Sequence, residues 1–183
     1  VVGVGVMLLV MMTGLTASLA ETRAAYYDRY RLADVVAPVS RAPERIADRL
    51  ADIPGVSAVQ TRVTGRALID IPGQALPAQA RALSLPDRGR PALNDLYLTE
   101  GRLPEAGRTG EVVLLEAFAT AHALRPGATL SATMNGARRS FRVVGLAQSP
   151  EFLYTTPPGE LYPDDARFGV LWMRRAALAA ATD

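Results

Sequence analysis

The hydrophobic pattern separates an uninterrupted apolar stretch at the start of the chain from a longer part in which apolar and polar positions alternate. Residues 1–20, VVGVGVMLLVMMTGLTASLA, carry no charge, and their only polar side chains are Thr13, Thr16 and Ser18. Twenty residues in an α-helix rise about 30 Å, the thickness of the hydrocarbon core of a bilayer. A soluble surface helix would show a polar stripe, which this stretch lacks. It therefore predicts a transmembrane helix; the alternative is a secretory signal peptide that is cleaved after Ala20.

Residues 21–32, ETRAAYYDRYRL, predict that the helix continues beyond the apolar span, because they contain no Gly or Pro. We expect residues 1–32 to form the membrane helix and a helical stalk that leads into a folded domain. Tyr26, Tyr27 and Tyr30 follow the span where an interfacial aromatic belt is expected, and packing on the folded domain is the alternative. The arginines of this segment would draw its flank toward the cytoplasm under the positive-inside rule.

The next segment changes its period from strand to helix and back to strand. DVVAPVS at residues 34–40 predicts a short strand. Residues 43–52 predict a helix, because apolar side chains recur at one helical face. Residues 56–71 alternate again and predict a second strand. Together they predict a strand–helix–strand unit.

The remaining chain predicts a sheet-rich domain with short helices. Asn135-Gly136 between two alternating runs is a strong hairpin signal. The fold class we predict is α+β and mostly antiparallel. Strands are predicted at 78–85, 111–115, 128–134, 137–146 and 168–173, helices at 116–124 and 174–182, and loops at 86–91, 100–110 and 155–167.

Composition excludes most catalytic devices. The 183 residues include no Cys, no Lys and a single His, His122. Thiol nucleophiles, disulfides, Cys-ligated zinc, P-loop lysines and Schiff bases are therefore excluded within this chain. The 20 Arg stand against 18 acidic residues without Arg–aromatic interleaving, so we do not expect nucleic acid as a partner. We predict no catalytic, cofactor-binding or metal-ligating residue.

A few side chains remain as candidates for interaction or chemistry. Asp164 and Asp165 are adjacent carboxylates, but acid–base or metal chemistry needs further groups from elsewhere, and a solvated loop is the simpler interpretation. Tyr154, Tyr162 and Trp172 form a candidate interaction surface that could line a groove for an apolar partner. Core packing is the alternative for these aromatic side chains.

Four segments, in their order along the chain, resemble the extracytoplasmic core domain of FtsX-like/MacB-like ABC transporter permeases. Each is a pattern of turns and apolar alternation, and their order makes the resemblance specific. The segments are AYYDRYRLADV (25–35), RAPERIADRLADIPGVSAVQTRV (41–63), LTEGRLPEAGRTGEVVLLEAFATAHALRPGATL (98–130) and FRVVGLAQSPEFLY (141–154).

The resemblance implies a division of the chain. Residues 1–32 would be the transmembrane helix and stalk, and 33–75 the first half of a porter-like subdomain. Residues 76–183 would be a sabre-like β-rich subdomain with the start of the return segment, and we expect the domain to continue beyond it. The residues after about 32 would lie outside the inner membrane of a bacterium.

The resemblance also implies a non-catalytic permease subunit. A cytoplasmic ABC ATPase would bind ATP, and this chain would bind no cofactor itself. Further expected partners are a second permease subunit, in a homodimer or a heterodimer, membrane lipid, and a periplasmic adaptor or substrate protein. The residues expected to transmit motion are those at the junction of helix and stalk: Ala20, Glu21, Arg23, Ala25, Tyr26, Tyr27, Tyr30 and Arg31.

Two other functions remain open at this point. A secreted or single-span anchored periplasmic binding or adhesion module would share the apolar start and the β-rich domain, but would need no ATPase. An extracytoplasmic hydrolase is least favoured, because it would require carboxylates to converge in space without help from Cys, Lys or a second His.

Overall fold

In the computed structural model of the chain, which describes residues 2–157 and 159–182, a long helix leads into a sheet-rich domain. Val1, Pro158 and Asp183, which belong to the predicted membrane helix, the irregular loop and the sabre-like range, lie outside the described residues. The elements are α1 (Val2–Tyr30), α2 (Ile46–Ala51), β1 (Thr64–Asp70), β2 (Ala78–Leu85), β3 (Tyr97–Gly101), β4 (Glu111–Leu115), α3 (Glu116–Ala121), β5 (Thr129–Met134), β6 (Ala137–Gln148), β7 (Phe168–Arg174) and α4 (Arg175–Thr182).

Six of the strands close into a barrel. The sheet order is β3-β6-β4-β7-β2-β1-β5, and β5 also pairs with β6. The ring therefore runs β6-β4-β7-β2-β1-β5 and returns to β6, while β3 pairs with β6 outside it. The pairs β2–β7 and β4–β6 are parallel, and the other described pairs are antiparallel. Closure is possible because β6, with 12 residues, is long enough to pair with β5 along its first half and with β3 and β4 along its second.

Small residues let α3 and α4 pack closely on the sheet. A Cβ placed on Gly169 of β7 would lie 2.9 Å from the ring of Phe118 in α3. A Cβ on Gly65 of β1 would lie 2.9 Å from the side chain of Thr182 in α4. With these helices in place, every residue of β4 and β7 is buried.

The helix α1 has the length and composition needed to cross a membrane, over Gly3–Tyr30. Its apolar part makes no buried contact with the barrel. A cleaved signal sequence would meet the same two criteria, since both need a long apolar N-terminal helix. The helix runs without interruption through the predicted stalk as far as Tyr30.

The strand predictions after residue 75 agree with the structure. The predicted strand at 78–85 coincides with β2, and the predicted strand at 111–115 coincides with β4. The hairpin around Asn135-Gly136 joins β5 and β6. The α+β class is confirmed. The strand β3 was not predicted from the sequence.

The predicted strand–helix–strand unit needs correction. Residues 34–40 form no strand, and no described strand lies beside them. The helix α2 is shorter than the predicted 43–52, and the following strand begins at Thr64 instead of 56. The physical reason is that alternation favours an extended chain, whereas a strand needs a neighbour whose backbone groups accept and donate hydrogen bonds. Val63 accepts a hydrogen bond from the Ser84 N–H at 2.9 Å, but no strand pairing is described for residues 34–40 or 56–62.

Candidate functional site at the helix–barrel joint

The C-terminal end of α1 is closed by a Schellman motif. The backbone N–H of Leu32 donates to the Tyr27 carbonyl at 3.0 Å, and that of Arg31 donates to the Asp28 carbonyl at 3.2 Å. Arg31 has φ +51, in the left-handed region that Gly usually occupies at this position. Its guanidinium donates to the Pro91 carbonyl at 2.9 Å, so an arginine at this strained position also ties the helix end to the barrel.

A loop of the barrel domain caps the same helix end. The backbone N–H of Asp95 donates to the Tyr30 carbonyl at 2.9 Å, and the N–H of Asn94 donates to the Arg31 carbonyl at 2.8 Å. The Asn94 side-chain oxygen accepts from the N–H of Ala33 at 2.7 Å. The last carbonyls of a helix need partners from outside it. Here those partners belong to the barrel domain, so the helix is joined to the barrel by hydrogen bonds across the chain.

The joint loop, residues 90–96, is itself held by an ion pair. Arg90 Nε donates to Asp95 Oδ2 at 2.8 Å, and a second guanidinium nitrogen donates to the Leu96 carbonyl at 2.5 Å. The Leu96 N–H donates to Asp95 Oδ1 at 2.8 Å. Asp95 and Leu96 are both buried. The residues that bind the helix end are therefore directly adjacent to the barrel core.

The segment before the joint loop is fixed by Arg174, the last residue of β7. Its guanidinium donates to the carbonyls of Pro86 at 2.5 Å, Gly89 at 3.0 Å and Pro104 at 2.6 Å. Burial lowers the pKa of the Arg174 guanidinium. Three carbonyl acceptors compensate for that desolvation. Two of them, those of Pro86 and Gly89, anchor the chain just before the joint loop to the buried strand β7.

Aromatic rings add a contact beside the hydrogen bonds. The ring centroids of Tyr26 and Tyr30 lie 4.9 Å apart, and those of Tyr30 and Tyr97 lie 5.9 Å apart. Tyr97 is the first residue of β3. Tyr30 therefore packs on the barrel domain. This is the alternative that the sequence analysis left open beside an interfacial aromatic belt. Tyr27 is also half-buried, with its ring 6.2 Å from that of Tyr26.

The structure divides the eight residues expected to transmit motion into two groups. Tyr26, Tyr27, Tyr30 and Arg31 lie at the joint. The other four are exposed along the helix before it: Ala20, Glu21, Arg23 and Ala25.

The sequence analysis did not identify Asn94 and Asp95, which cap the helix. The signal available for them was the Asn-Asp pair itself, because these residue types favour turns and left-handed backbone. Asn94 indeed has φ +52. That signal locates a turn, but it does not indicate which distant helix the turn contacts.

Of the three residues of the candidate interaction surface, two are exposed and one is buried. Tyr154 and Tyr162 are 82% and 80% exposed. Trp172 is 2% exposed within β7, and its ring meets that of Phe152 edge-on at a centroid distance of 6.1 Å. Including Trp172 in the surface was wrong, because the strand that carries it is covered on both faces.

The candidate polar groups have structural partners. His122 Nε2 lies 2.8 Å from the Ala166 carbonyl. Asp164 Oδ1 accepts from the Ala166 N–H at 3.0 Å, and Asp165 Oδ1 accepts from the Thr155 hydroxyl at 2.8 Å. Within residues 2–157 and 159–182, no group of three or more His, Asp or Glu side chains is arranged to hold a metal ion.

A second ion pair closes the loop between β3 and β4. Glu111 accepts from Arg102 at 2.7 and 2.8 Å and from the Glu105 N–H at 3.0 Å. These hydrogen bonds, the one to Arg102 first, lower the pKa of Glu111 to about 2 against the opposing effect of burial. The carboxylate is charged at neutral pH and stabilises the fold.

Comparison with known proteins gives one strong finding. A family model described as the MacB-like periplasmic core domain matches residues 1–174. No curated protein matches. Among solved structures, the chain is similar to the extracellular domain of the noncanonic ABC-type transporter YknZ from Gram-positive bacteria. The identity is 13% and the TM-score 0.47, and the match covers 83% of this chain and 73% of that chain.

Proposed function

The chain belongs to the MacB-like periplasmic core domain family, and on that premise we propose that it is a non-catalytic permease subunit of an FtsX/MacB-type ABC transporter. The family match confirms the resemblance carried by the four sequence segments. We propose that α1 crosses the inner membrane of a bacterium and that the residues after about 32 lie outside the cytoplasm. The barrel domain then couples ATP-driven motion to export, extraction or signalling beyond the membrane.

The observation that supports the coupling role is the capped end of α1. The Tyr30 and Arg31 carbonyls receive their hydrogen bonds from Asp95 and Asn94 of the barrel domain. A helix joined in this way moves together with the loop that caps it. A flexible linker would absorb such motion, since its backbone dihedrals are free to change.

ATP is bound outside this chain in this proposal. The chain has no Lys, so it has no P-loop lysine, and a cytoplasmic ABC ATPase, separate or fused, is the expected partner. The complete permease is a homodimer or a heterodimer, and a periplasmic adaptor or a substrate protein meets it outside the membrane. The porter-like range 33–75 and the sabre-like range 76–183 remain part of the proposal. The strand β1 pairs with β2 across the boundary between these two ranges.

The proposed orientation runs against a simple count of positive charges. Arg23, Arg29 and Arg31 follow the apolar span and would favour a cytoplasmic flank. Arg31 donates to the Pro91 carbonyl and so forms part of the joint. The orientation itself rests on the family.

The test is to purify the intact polypeptide from its own membrane in mild detergent. We expect a P-loop ATPase to co-purify in stoichiometric amount, and its turnover to respond to changes at the joint. Asn94→Gly removes the side-chain acceptor of Ala33 and tolerates the left-handed backbone. The matched control is Asn135→Gly, at another left-handed asparagine (φ +47) in the β5–β6 turn.

Three outcomes separate the hypotheses. Altered turnover in Asn94→Gly together with normal turnover in Asn135→Gly supports coupling through the joint. A co-purifying ATPase that is insensitive to Asn94→Gly contradicts the joint but keeps the transporter. A polypeptide that purifies with no P-loop ATPase, neither bound nor fused to it, contradicts the transporter and favours the anchored or secreted binding module.

A further inference from the structure

The loop after β6 exposes four large side chains. Leu161 is 91% exposed, Leu153 is about half exposed, and Tyr154 and Tyr162 are almost fully exposed. We call residues 149–165 the Leu-Tyr loop. Clusters of exposed apolar side chains on soluble surfaces mark sites of contact with proteins, ligands or membranes.

The Leu-Tyr loop is anchored at its base. The Thr155 hydroxyl donates to Asp165 Oδ1 at 2.8 Å, and the Asp164 N–H donates to the Thr155 carbonyl at 3.1 Å. Glu151 accepts two hydrogen bonds from Arg62 at 2.5 and 2.6 Å. These contacts fix the two ends of the loop, so its exposed side chains project from a defined position.

That position is the end of the barrel at which α1 arrives. Tyr30 at the end of α1 meets the ring of Tyr97, and Tyr97 is paired in register with Gln148, the last residue of β6. The Leu-Tyr loop begins at the next residue, Ser149. Two contacts and one peptide bond thus connect the helix end to the start of the loop.

The opposite end of β6 has a different surface. Its 12 residues span about 40 Å, so the turn at Asn135-Gly136 lies far from the helix joint. The exposed side chains there include Arg138 and Arg139. These two arginines lie at the far end of β6, whereas the four large exposed side chains of the Leu-Tyr loop follow its other end.

Simple lengths allow the Leu-Tyr loop to reach a bilayer crossed by α1. The ten residues from Ala20, where the uncharged stretch ends, to Tyr30 rise about 15 Å as a helix. The headgroup region occupies roughly 5–7 Å of that distance. The gap that remains between the helix joint and the headgroup region is therefore about 8–10 Å along the helix.

We propose that the Leu-Tyr loop contacts the headgroup region of the bilayer that α1 crosses, on the side where the barrel lies, with Leu153, Tyr154, Leu161 and Tyr162 facing the lipid. This inference rests on the proposed membrane span. Tyrosine suits the site, because its ring is apolar and its hydroxyl remains hydrated at the membrane–water interface.

Charge indicates which lipids the loop contacts. Residues 149–165 contain four acidic side chains and no basic one. Arg62 pairs with Glu151 at 2.5 Å, and Arg167 pairs with Glu160 at 3.2 Å. The two aspartates keep the loop negative, so it suits zwitterionic headgroups such as phosphatidylcholine, while an anionic surface would repel it.

A protein partner is the competing occupant, and it is an outcome of the test. A groove between α3 and the Leu-Tyr loop is lined by Leu115, Ala117, Thr120 and Phe152, among others. A peptide or a second copy that filled this groove would shield the loop from water without placing it in lipid. The experiment must therefore distinguish a loop that is shielded by lipid from a loop that is shielded by a protein partner.

The chain has no Cys, so single spin labels can be placed without a background. Thr156→Cys puts a label at an exposed position of the loop and leaves all four large side chains intact. Met11→Cys reports on the apolar span, and Ala137→Cys, exposed at the start of β6, is the control far from the joint. Each full chain is reconstituted in phosphatidylcholine nanodiscs, and collisions with oxygen and with the water-soluble nickel chelate Ni-EDDA are measured by power saturation.

We expect the ratio of oxygen to Ni-EDDA collisions to be highest at the Met11 label, lowest at the Ala137 label and intermediate at the Thr156 label, because Ni-EDDA still enters the hydrated headgroup region. A ratio at the Thr156 label as low as that at the Ala137 label would overturn the proposal, and protection from both reagents would overturn it in favour of a protein partner. If the ratio at the Met11 label is as low as that at the Ala137 label, the proposed membrane span fails. If the ratio is high at the Met11 label and low at the Thr156 label, only the lipid contact fails.

A second pair of variants tests the side chains directly. Leu161→Ser, made in the labelled Thr156→Cys chain, should shift the Thr156 label toward Ni-EDDA because it removes the most exposed apolar group. The matched control is Leu76→Ser, at another exposed leucine outside the loop, which should leave the label unchanged. An equal effect of the two substitutions would contradict the role of the loop.

Discussion

The carbonyl of Tyr30, the last residue of α1, accepts a hydrogen bond at 2.9 Å from the backbone N–H of Asp95, which lies in a different part of the chain. Asp95 is buried and also holds Arg90 and the N–H of Leu96. The end of the helix is thus bound to the backbone of Asp95, and Arg90 and Leu96 are bound to its side chain. The predictions below test this joint and the barrel that supports it.

Asn94→Gly should lower the free energy of unfolding of the joint by about 1 kcal/mol, because the Ala33 N–H loses its side-chain acceptor. Glycine tolerates the left-handed backbone at this position, so the effect reports the hydrogen bond. Hydrogen exchange of the amides of residues 31–33 in detergent solution measures it. Asn135→Gly should leave these amides unchanged, and faster exchange there in both variants would show a general loss of stability.

Ala25→Pro should interrupt α1 before the joint. Proline removes a helical hydrogen bond and clashes with the preceding turn, at a cost of about 3 kcal/mol. In the complex with the partner ATPase, an environment-sensitive probe on Ala137→Cys should lose its response to ATP, while ATP binding stays nearly unchanged. Ala25→Leu keeps the helix and should keep the response. A full response in Ala25→Pro would contradict transmission through the stalk.

The stability of the protein should depend on the ring of Tyr30 more than on the hydroxyl of Tyr26. The buried Tyr26 hydroxyl has no hydrogen-bond partner among the described residues. Tyr26→Phe should therefore leave stability unchanged or raise it slightly. Tyr30→Ala removes the contact with Tyr97 and should cost about 1 kcal/mol or more. Thermal unfolding in detergent measures both, and a large loss in Tyr26→Phe would indicate a partner for that hydroxyl.

Glu111 should make the barrel sensitive to acid. Its pKa in the folded protein is lowered from 4.5 to about 2, so its stabilising effect is complete above about pH 4.5 and is lost as the pH falls toward 2. The loss amounts to at most about 3 kcal/mol. Urea unfolding from pH 7 to pH 3 should show a steeper loss in the native protein than in Glu111→Gln. Glu160→Gln removes an exposed pair with Arg167, and its curve should follow that of the native protein.

Gly169→Ala should destabilise the barrel, because the new methyl group would lie 2.9 Å from the Phe118 ring. Overpacking of this kind costs about 1–3 kcal/mol. The double variant Gly169→Ala with Phe118→Leu should be more stable than the two single losses added together predict. Simple additivity, measured by thermal unfolding, would contradict the close contact between α3 and β7.

The elements that could be predicted from the sequence are those whose signal is local. The run of residues 1–20 has one physical interpretation as a long apolar helix. The strand β2 begins with alternating apolar and polar residues, and β4 is mostly apolar. Asn135-Gly136 defines its hairpin by backbone conformation alone. The predicted strand over 34–40 was wrong, because a short apolar segment says nothing about whether a neighbouring strand exists to pair with it.

The sequence by itself therefore determined the apolar helix, the α+β class, most of the barrel strands and the absence of Cys- and Lys-based chemistry. Only the tertiary structure decided that Asn94 and Asp95 cap α1, that Trp172 lies in the core, and that the Leu-Tyr loop emerges beside the joint. These facts depend on contacts between segments that are distant in the sequence. Such contacts form only in the folded chain, in which β5 pairs with β6 and closes the barrel, and no local pattern of residues specifies them.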